Sequence, residues 1–305
     1  MRENCITENT PIFEIEVDSL PELSEDMYDY YDRLAQEMSI EMGVPKELLF
    51  VAPHFFFINH WHKIDGKWYF YKSDGSDFHF VNELLGEVIS EYFGLDTVHY
   101  KVALLKVAGK EPKYGLVSEN FCSPNYIYTR TWDYNLDMGN IFELDRLKDI
   151  CNSPLEFKIL LSDIKKFIIR DFYTSQLDRS GNNFLFMQKK DGSEGKRLAP
   201  LYDYENSFES CSPEIYRNQI LHLDMENPNL REFFKRDLEY QENLGKIRDA
   251  NMDKFLNMVE EKHSILIPND MKEYYRKSDK VKKEIIKNNR LVKVLKPKRE
   301  DKKIH

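Results

Sequence analysis

The stretch Leu177–Asp203, LDRSGNNFLFMQKKDGSEGKRLAPLYD, constrains this chain more than any other part of it. An acid, Asp178, and an amide, Asn183, stand five apart in a glycine-containing loop. The apolar run Phe184–Met187 predicts a strand, Lys190–Lys196 supplies turn chemistry, and Leu198–Tyr202 predicts a second strand that ends at Asp203. Folding that hairpin returns Asp203 to the end where Asn183 lies. Adjacent strands run about 4.8 Å apart, so a carboxylate and an amide oxygen there reach one hard cation. Mg²⁺ is commonly held this way, by a few oxygen ligands together with substrate phosphates. Asp178 is left at the mouth of the loop, free to accept a hydroxyl proton. Taken alone, the same residues also fit an ordinary polar loop, in which Asp, Asn and Gly are common.

The segment Trp61–Lys72, WHKIDGKWYFYK, predicts an aromatic hairpin around an Asp65-Gly66 turn. In its second strand the period of two sets Trp68, Phe70 and Lys72 on one face. A lysine sharing a face with Trp and Phe is either a strand-end cation reaching for water or one that contacts nucleotide phosphates and is held by a carboxylate. An unpaired buried ammonium is too costly to be a third choice. The next helix, Phe80–Phe93, carries an apolar stripe at Val81, Leu84, Leu85, Val88 and Tyr92 and stops at Gly94. Glu83, Glu87 and Glu91 form a ladder beside the stripe. Wheel geometry puts Glu87 or Glu91 nearer the apolar face than Glu83, so periodicity does not choose the lysine's partner, and most of these glutamates are expected in water.

These segments resemble the HipA-type serine/threonine kinases, especially the shorter HipA-like and CtkA-like bacterial proteins. The resemblance runs in order through DGKWYFYK, NELLGEVISEYFGL, YGLVSENF, the D-R-x-x-N-N of DRSGNN, and LAPLYD, over roughly residues 60–210. It implies an α+β, bilobal protein-kinase-like fold, with a small β-rich N-lobe and a larger α-helical C-lobe, and it implies ATP and Mg²⁺. It places Lys72 at the phosphate-contacting lysine and selects Glu83 as its partner. Val117, Ser118, Glu119, Asn120 and Phe121 fall at the interlobe hinge that receives adenine through backbone groups. Asp178 matches the catalytic Asp, Asn183 and Asp203 the metal ligands, and Asp171 a structural acid. Arg170-Asp171 imitates the His-Arg-Asp triplet of eukaryotic kinases. Gln176, not Asn, stands five residues beyond Asp171, so Asp178 with Asn183 is the better match. The chain departs from its relatives at Ser180, where many carry His, and at Glu205, where they often carry Gly. Gly43 is the only glycine before Gly66, so phosphate-cradling amides must come from an ordinary loop, around Val51–His54.

With 305 residues, 41% of them apolar, the chain is long enough to bury a large core. No apolar run approaches the roughly 20 residues of a membrane span, and the polar, acidic N-terminus does not read as a secretory signal. Cys5, Cys122, Cys151 and Cys211 form no CxxC pair, which fits free thiols in a reducing cytoplasm. His60 and His62 lack further ligands and are read as strand-surface residues rather than a zinc site. Residues 276–305 hold 13 Lys/Arg against 4 Asp/Glu, a net charge of +9, which leaves −18 for residues 1–275. An acidic body argues against nucleic acid as the main ligand, and the tail KPKREDKKIH is read as a solvated end.

Residues 1–121 are expected to form the N-lobe with a short acidic helical extension, Pro21–Met42, capped by Ser24. That helix either braces the small lobe or occupies a groove. Residues 122–275 are expected to form the C-lobe, with helices at Leu155–Phe172, Asn229–Asn243, Asn251–His263 and Asn269–Asn288, and residues 276–305 a basic tail. Three functions remain open. The first is a protein kinase acting on a Ser/Thr-bearing protein and on its own Ser207, Ser210 or Ser212, with an antitoxin-like or regulatory partner. The second is a small-molecule or lipid kinase on the same fold. The third is a nucleotide-binding pseudokinase, for which Ser180, Glu205 and the missing glycines speak.

Overall fold

The computed structural model describes residues 4–18, 25–46, 60–73, 76–134, 136, 144–176, 185–208 and 236–288. Strand β1 (Phe13–Val17) and helix α1 (Glu25–Met42) precede the hairpin β2 (His60–Ile64) and β3 (Lys67–Lys72). Helix α2 (Asp77–Phe93) and strands β4 (Tyr100–Val107) and β5 (Lys113–Glu119) follow. The five strands form one sheet in the order β1-β4-β5-β3-β2, antiparallel except where β1 runs parallel to β4. Asp65 and Gly66 both take positive φ, 49° and 77°, as a two-residue hairpin turn requires.

Strand periodicity gives the sheet two faces. Tyr71 pairs with Val117, and Lys72 with Leu116, which pairs in turn with Val102. Tyr69, Tyr71, Val117, Ala103 and Leu105 pack together on one face. On the other, Leu116, Val102 and Tyr100 pack with Val81, Leu84, Leu85 and Val88 of α2. Lys72 therefore points toward α2.

The second part is helical around a three-stranded sheet, β6 (Tyr126–Arg130), β7 (Leu185–Lys189) and β8 (Arg197–Leu198). The expected second strand Leu198–Tyr202 is shorter than its sequence suggests. After Ala199 N–H bonds Leu185 O at 2.9 Å, Pro200 has no N–H to donate. The chain then leaves the hairpin, and Leu201 bridges to Thr97, exchanging bonds of 2.9 Å with Asp96 and Val98. The described helices of this part are α3 (Leu144–Asp149), α4 (Pro154–Thr174), α5 (Leu238–Asp249), α6 (Met252–His263) and α7 (Asn269–Asn288). The α5 helix begins at Leu238, capped by Asp237, which accepts from Tyr240 N, and runs past the expected end at Asn243. Residues 229–235 lie outside the described residues, as do Ser24, Cys211 and the tail beyond 288. The α7 helix crosses residue 276 without a break.

Of the two readings of α1, the brace fits. Met38, with Leu34 and Met42 beside it, packs against Trp68, Tyr128, Leu185 and Met187, and so touches both sheets. Trp68 Nε1 donates to Glu41 Oε2 at 2.8 Å. The N-terminal residues tie to the helical part: Thr10 Oγ1 and Thr7 Oγ1 donate to Ser264 O, and Leu266 N–H bonds Cys5 O at 2.8 Å.

Helix α2 departs furthest from expectation. It is buried on nearly every side, between the sheet, α4 and α6, so a wheel drawn for a surface helix misplaces its glutamates. Only Glu91 keeps a substantial exposure. Glu87 is fully buried and meets His99 Nδ1 at 2.7 Å, Lys262 Nζ at 2.8 Å and His263 Nε2 at 3.6 Å. Burial alone would push its carboxyl up. Interactions with His263, Lys262 and His99 outweigh burial and hold it at about 2, against an ordinary 4.5. A depressed carboxyl stabilises the fold above its unfolded value, and the contribution is lost as pH falls through the folded one. We expect wild type to exceed Glu87→Gln in stability by on the order of 3 kcal/mol above pH 4.5. Denaturant melts should show that margin shrinking between pH 4.5 and about 2.

Candidate active site

Lys72 sits at the end of β3, and its side chain is 14% exposed. Its Nζ lies 2.7 Å from Glu83 Oε1 and 2.7 Å from Asp203 Oδ1. A third carboxylate, Glu205 Oε2, stands 2.8 Å away. Burial works against the ammonium, but the charges of Asp203, Glu83 and Glu205 more than offset it and hold Lys72 protonated well above the usual lysine range. Burial also raises the Glu205 carboxyl, with Lys72 pulling the other way and Asp203 adding to the rise. Burial first, and the negative charge of Glu83 second, push the Tyr100 hydroxyl well above the usual tyrosine range.

Glu83 serves two masters. Its Oε2 accepts the Tyr204 backbone N–H at 2.9 Å while Oε1 holds Lys72. The segment that carries Asp203 is thereby fixed to α2 and, through α2, to the sheet. Asp203 itself takes a left-handed backbone conformation, φ 62°, which Asp tolerates better than most residues. Its carbonyl accepts Gln176 Nε2 at 2.6 Å.

Tyr204 locks this geometry. Its ring lies against Gly86 so closely that a Cβ there would stand 2.4 Å from Tyr204 Cγ. The Arg170 guanidinium covers the ring at 4.2 Å, and the hydroxyl meets Thr97 Oγ1 at 2.6 Å. Arg170 is fully buried and donates to Asp171 Oδ1 at 2.6 Å and to Gly86 O at 3.3 Å. Arg170 thus links α4 to α2, with Asp171, its neighbour on α4, as counter-ion. Further on, Asn82 Nδ2 donates to both Glu205 O (2.7 Å) and Ser207 O (2.6 Å), while its Oδ1 accepts from Tyr275.

The residues expected at the site fall into three groups. Lys72, Glu83 and Asp203 are brought together. Asp178, Ser180 and Asn183, with residues 51–54, lie outside the described residues. Val117–Phe121 runs from β5 toward β6. Val117 and Ser118 lie between β3 and β4, whereas β4 has no described partner for Glu119 or beyond. There Asn120 N–H bonds Trp68 O at 2.8 Å, and Phe121 O accepts the Tyr128 hydroxyl.

Sequence reasoning missed Glu205 as a site residue, reading it only as a departure, and missed Tyr204, Asn82 and Tyr100. One signal was present: a glycine inside a helix, Gly86, costs about 1 kcal/mol relative to Ala and calls for a packing reason. Glu83, Asp203 and Glu205 offer oxygens within 4.8 Å of one another, a donor set that suits a hard cation.

Known structures share this architecture. The Helicobacter pylori proinflammatory kinase CtkA matches with a TM-score of 0.52 at 14% sequence identity, covering 74% of this chain and 90% of that one. The chain therefore has a bilobal, kinase-like α+β fold, and the resemblance to CtkA-like proteins holds at the level of the fold. HipA from the Shewanella oneidensis MR-1 complex with HipB and operator DNA matches over 84% of this chain and 70% of that chain at 12% identity. The TM-score of that match is 0.42. No protein-family profile matches the sequence, and no curated protein matches it.

The Gly86–Tyr204 contact generates a prediction. Gly86→Ala should destabilise the fold by about 1–3 kcal/mol through overpacking and move the Asp203 segment. Gly86→Ala should cost less in a Tyr204→Ala background than in wild type, a non-additivity that denaturant melts of the four proteins of the cycle would read.

Proposed function

We propose that this chain is an ATP- and Mg²⁺-dependent kinase of the HipA-like serine/threonine type. The observation that carries the reading is one ammonium, Lys72, held at 2.7 Å by both Glu83 and Asp203 within a kinase-like fold. Lys72 steadies the phosphates of the nucleotide, and Glu83 keeps Lys72 aimed at them. Adenine lies against the backbone of Val117–Phe121, with Glu119, Asn120 and Phe121 on the side that β4 leaves open. Asp203 and Asn183 would hold Mg²⁺, and the oxygen-rich set of Glu83, Asp203 and Glu205 suits that ion. Bound there, it compensates charge that develops on the transferred phosphoryl group. Asp178 orients the acceptor hydroxyl and takes its proton as the new O–P bond forms and the bond to the β-phosphate breaks. The acceptor is a Ser or Thr of a protein. The small lobe extends to residue 121 and the large lobe begins at 122; residues 276–288, expected in a basic tail, belong to α7 and pack in the large lobe through Ser278, Lys282 and Ile286. Among the described residues no helix is long and apolar enough to cross a membrane.

Two observations bear on finer points. Ser207 is fully buried, so self-modification is directed to Ser210 or Ser212, which lie outside the described residues. Glu205 on Lys72 favours a second reading, a pseudokinase that binds nucleotide without turnover.

Incubation with γ-labelled ATP and Mg²⁺ tests the proposal. Wild type should label itself or a added protein acceptor, and Lys72→Met, Asp178→Ala and Asp203→Ala should each lose at least about a hundredfold. Nucleotide binding without label or released phosphate would favour the pseudokinase, and turnover without labelled protein a small-molecule kinase.

A further inference from the structure

A lysine ammonium has three donors, and here three carboxylates surround it. They are not equally replaceable. Glu83 is 2% exposed, and its other oxygen is committed to Tyr204 N–H. Asp203 is the expected metal ligand. Glu205 is 27% exposed and is held through its backbone, by Asn82 on its carbonyl, so its side chain is free to leave without moving the segment.

We propose that Glu205 is an internal competitor of nucleotide phosphates for Lys72, and that it makes the site select nucleotide as its divalent-metal complex. The inference rests on the nucleotide-site reading above. The four side chains carry one positive and three negative charges. A metal-free nucleotide must strip Glu205 from Lys72, leaving a half-buried carboxylate unpaired beside anionic phosphates, a costly arrangement. A metal complex delivers its own positive charge to the same place, so the displaced carboxylate faces a cation. With a neutral residue at position 205, Lys72 keeps Glu83 and Asp203 and presents a free donor to phosphate whether or not metal is present. Glu205 is thus a specificity-determining residue, acting by what it withholds from the ligand.

The test is titration of the full chain with ADP and with a non-hydrolysable ATP analogue, in Mg²⁺ and in EDTA. Wild type, Glu205→Gln, Glu205→Gly and Glu205→Asp are compared, and thermal melts verify that each is folded. Glu205→Gln and Glu205→Gly should tighten metal-free binding about tenfold, the worth of one charged hydrogen bond, and change metal-complex binding less. The preference for metal complex should fall, and Glu205→Asp should restore part of it. An unchanged preference in both neutral variants, with wild type still binding the metal complex, overturns the role of Glu205 alone. Wild type that binds nucleotide in neither condition overturns the nucleotide site itself, and this inference with it.

Discussion

The structure depends on keeping one ammonium charged in a place where water is scarce. Lys72 lies on the sheet face that packs against α2, and a lone cation there would cost several kcal/mol. Everything that meets it comes from elsewhere in the chain: Glu83 from the helix, Asp203 and Glu205 from the segment after β8. The requirement to pair that charge therefore joins sheet, helix and segment into one unit. Geometry is set by shape as well as charge. Tyr204 sits where Gly86 has no side chain, under the Arg170 guanidinium, and its neighbours Asp203 and Glu205 are aimed at Lys72 as a result.

Helix α2 is the member through which both parts of the protein are built. Its apolar residues belong to the same core as Phe167 and Ile168 of α4 and Phe255 and Val259 of α6. Its polar residues are as fully used. Asn82 fixes the segment after Asp203, Glu83 fixes Lys72, and Glu87 gathers His99, Lys262 and His263. A helix with so little free surface cannot move without disturbing the site.

Local chemistry was legible in the sequence. Asp65-Gly66 marked a turn with positive φ, Gly94 ended α2 in a left-handed cap, and the period of two put Lys72 on the face it occupies. The helix Asn269–Asn288 was found at its observed bounds. Non-local choices were not legible. Glu83 could not be separated from Glu87 and Glu91 by periodicity, because the wheel assumes a watery side that α2 lacks. Its selection came from the resemblance to known kinases, not from spacing. Glu205 looked like a mere substitution for glycine, since its meaning lies in a contact with a residue 133 positions earlier. The second strand of the Asp203 hairpin was overcalled because alternation ignores the missing N–H of Pro200, and β1 was overlooked although Phe13–Val17 alternates cleanly.

Among the described residues, two runs of chain lead directly between the sheet and the helical part. One is the run from Glu119 to Tyr126. The other is the short run between Thr10, bonded to Ser264 beside α6, and Phe13, where β1 joins the sheet. A body held at one point swivels in any direction, whereas a body held at two points turns only about the line through them. Whatever rocking of the sheet against the helices the shared α2 core allows, a swing that pulls Thr10 from Ser264 must first break those bonds.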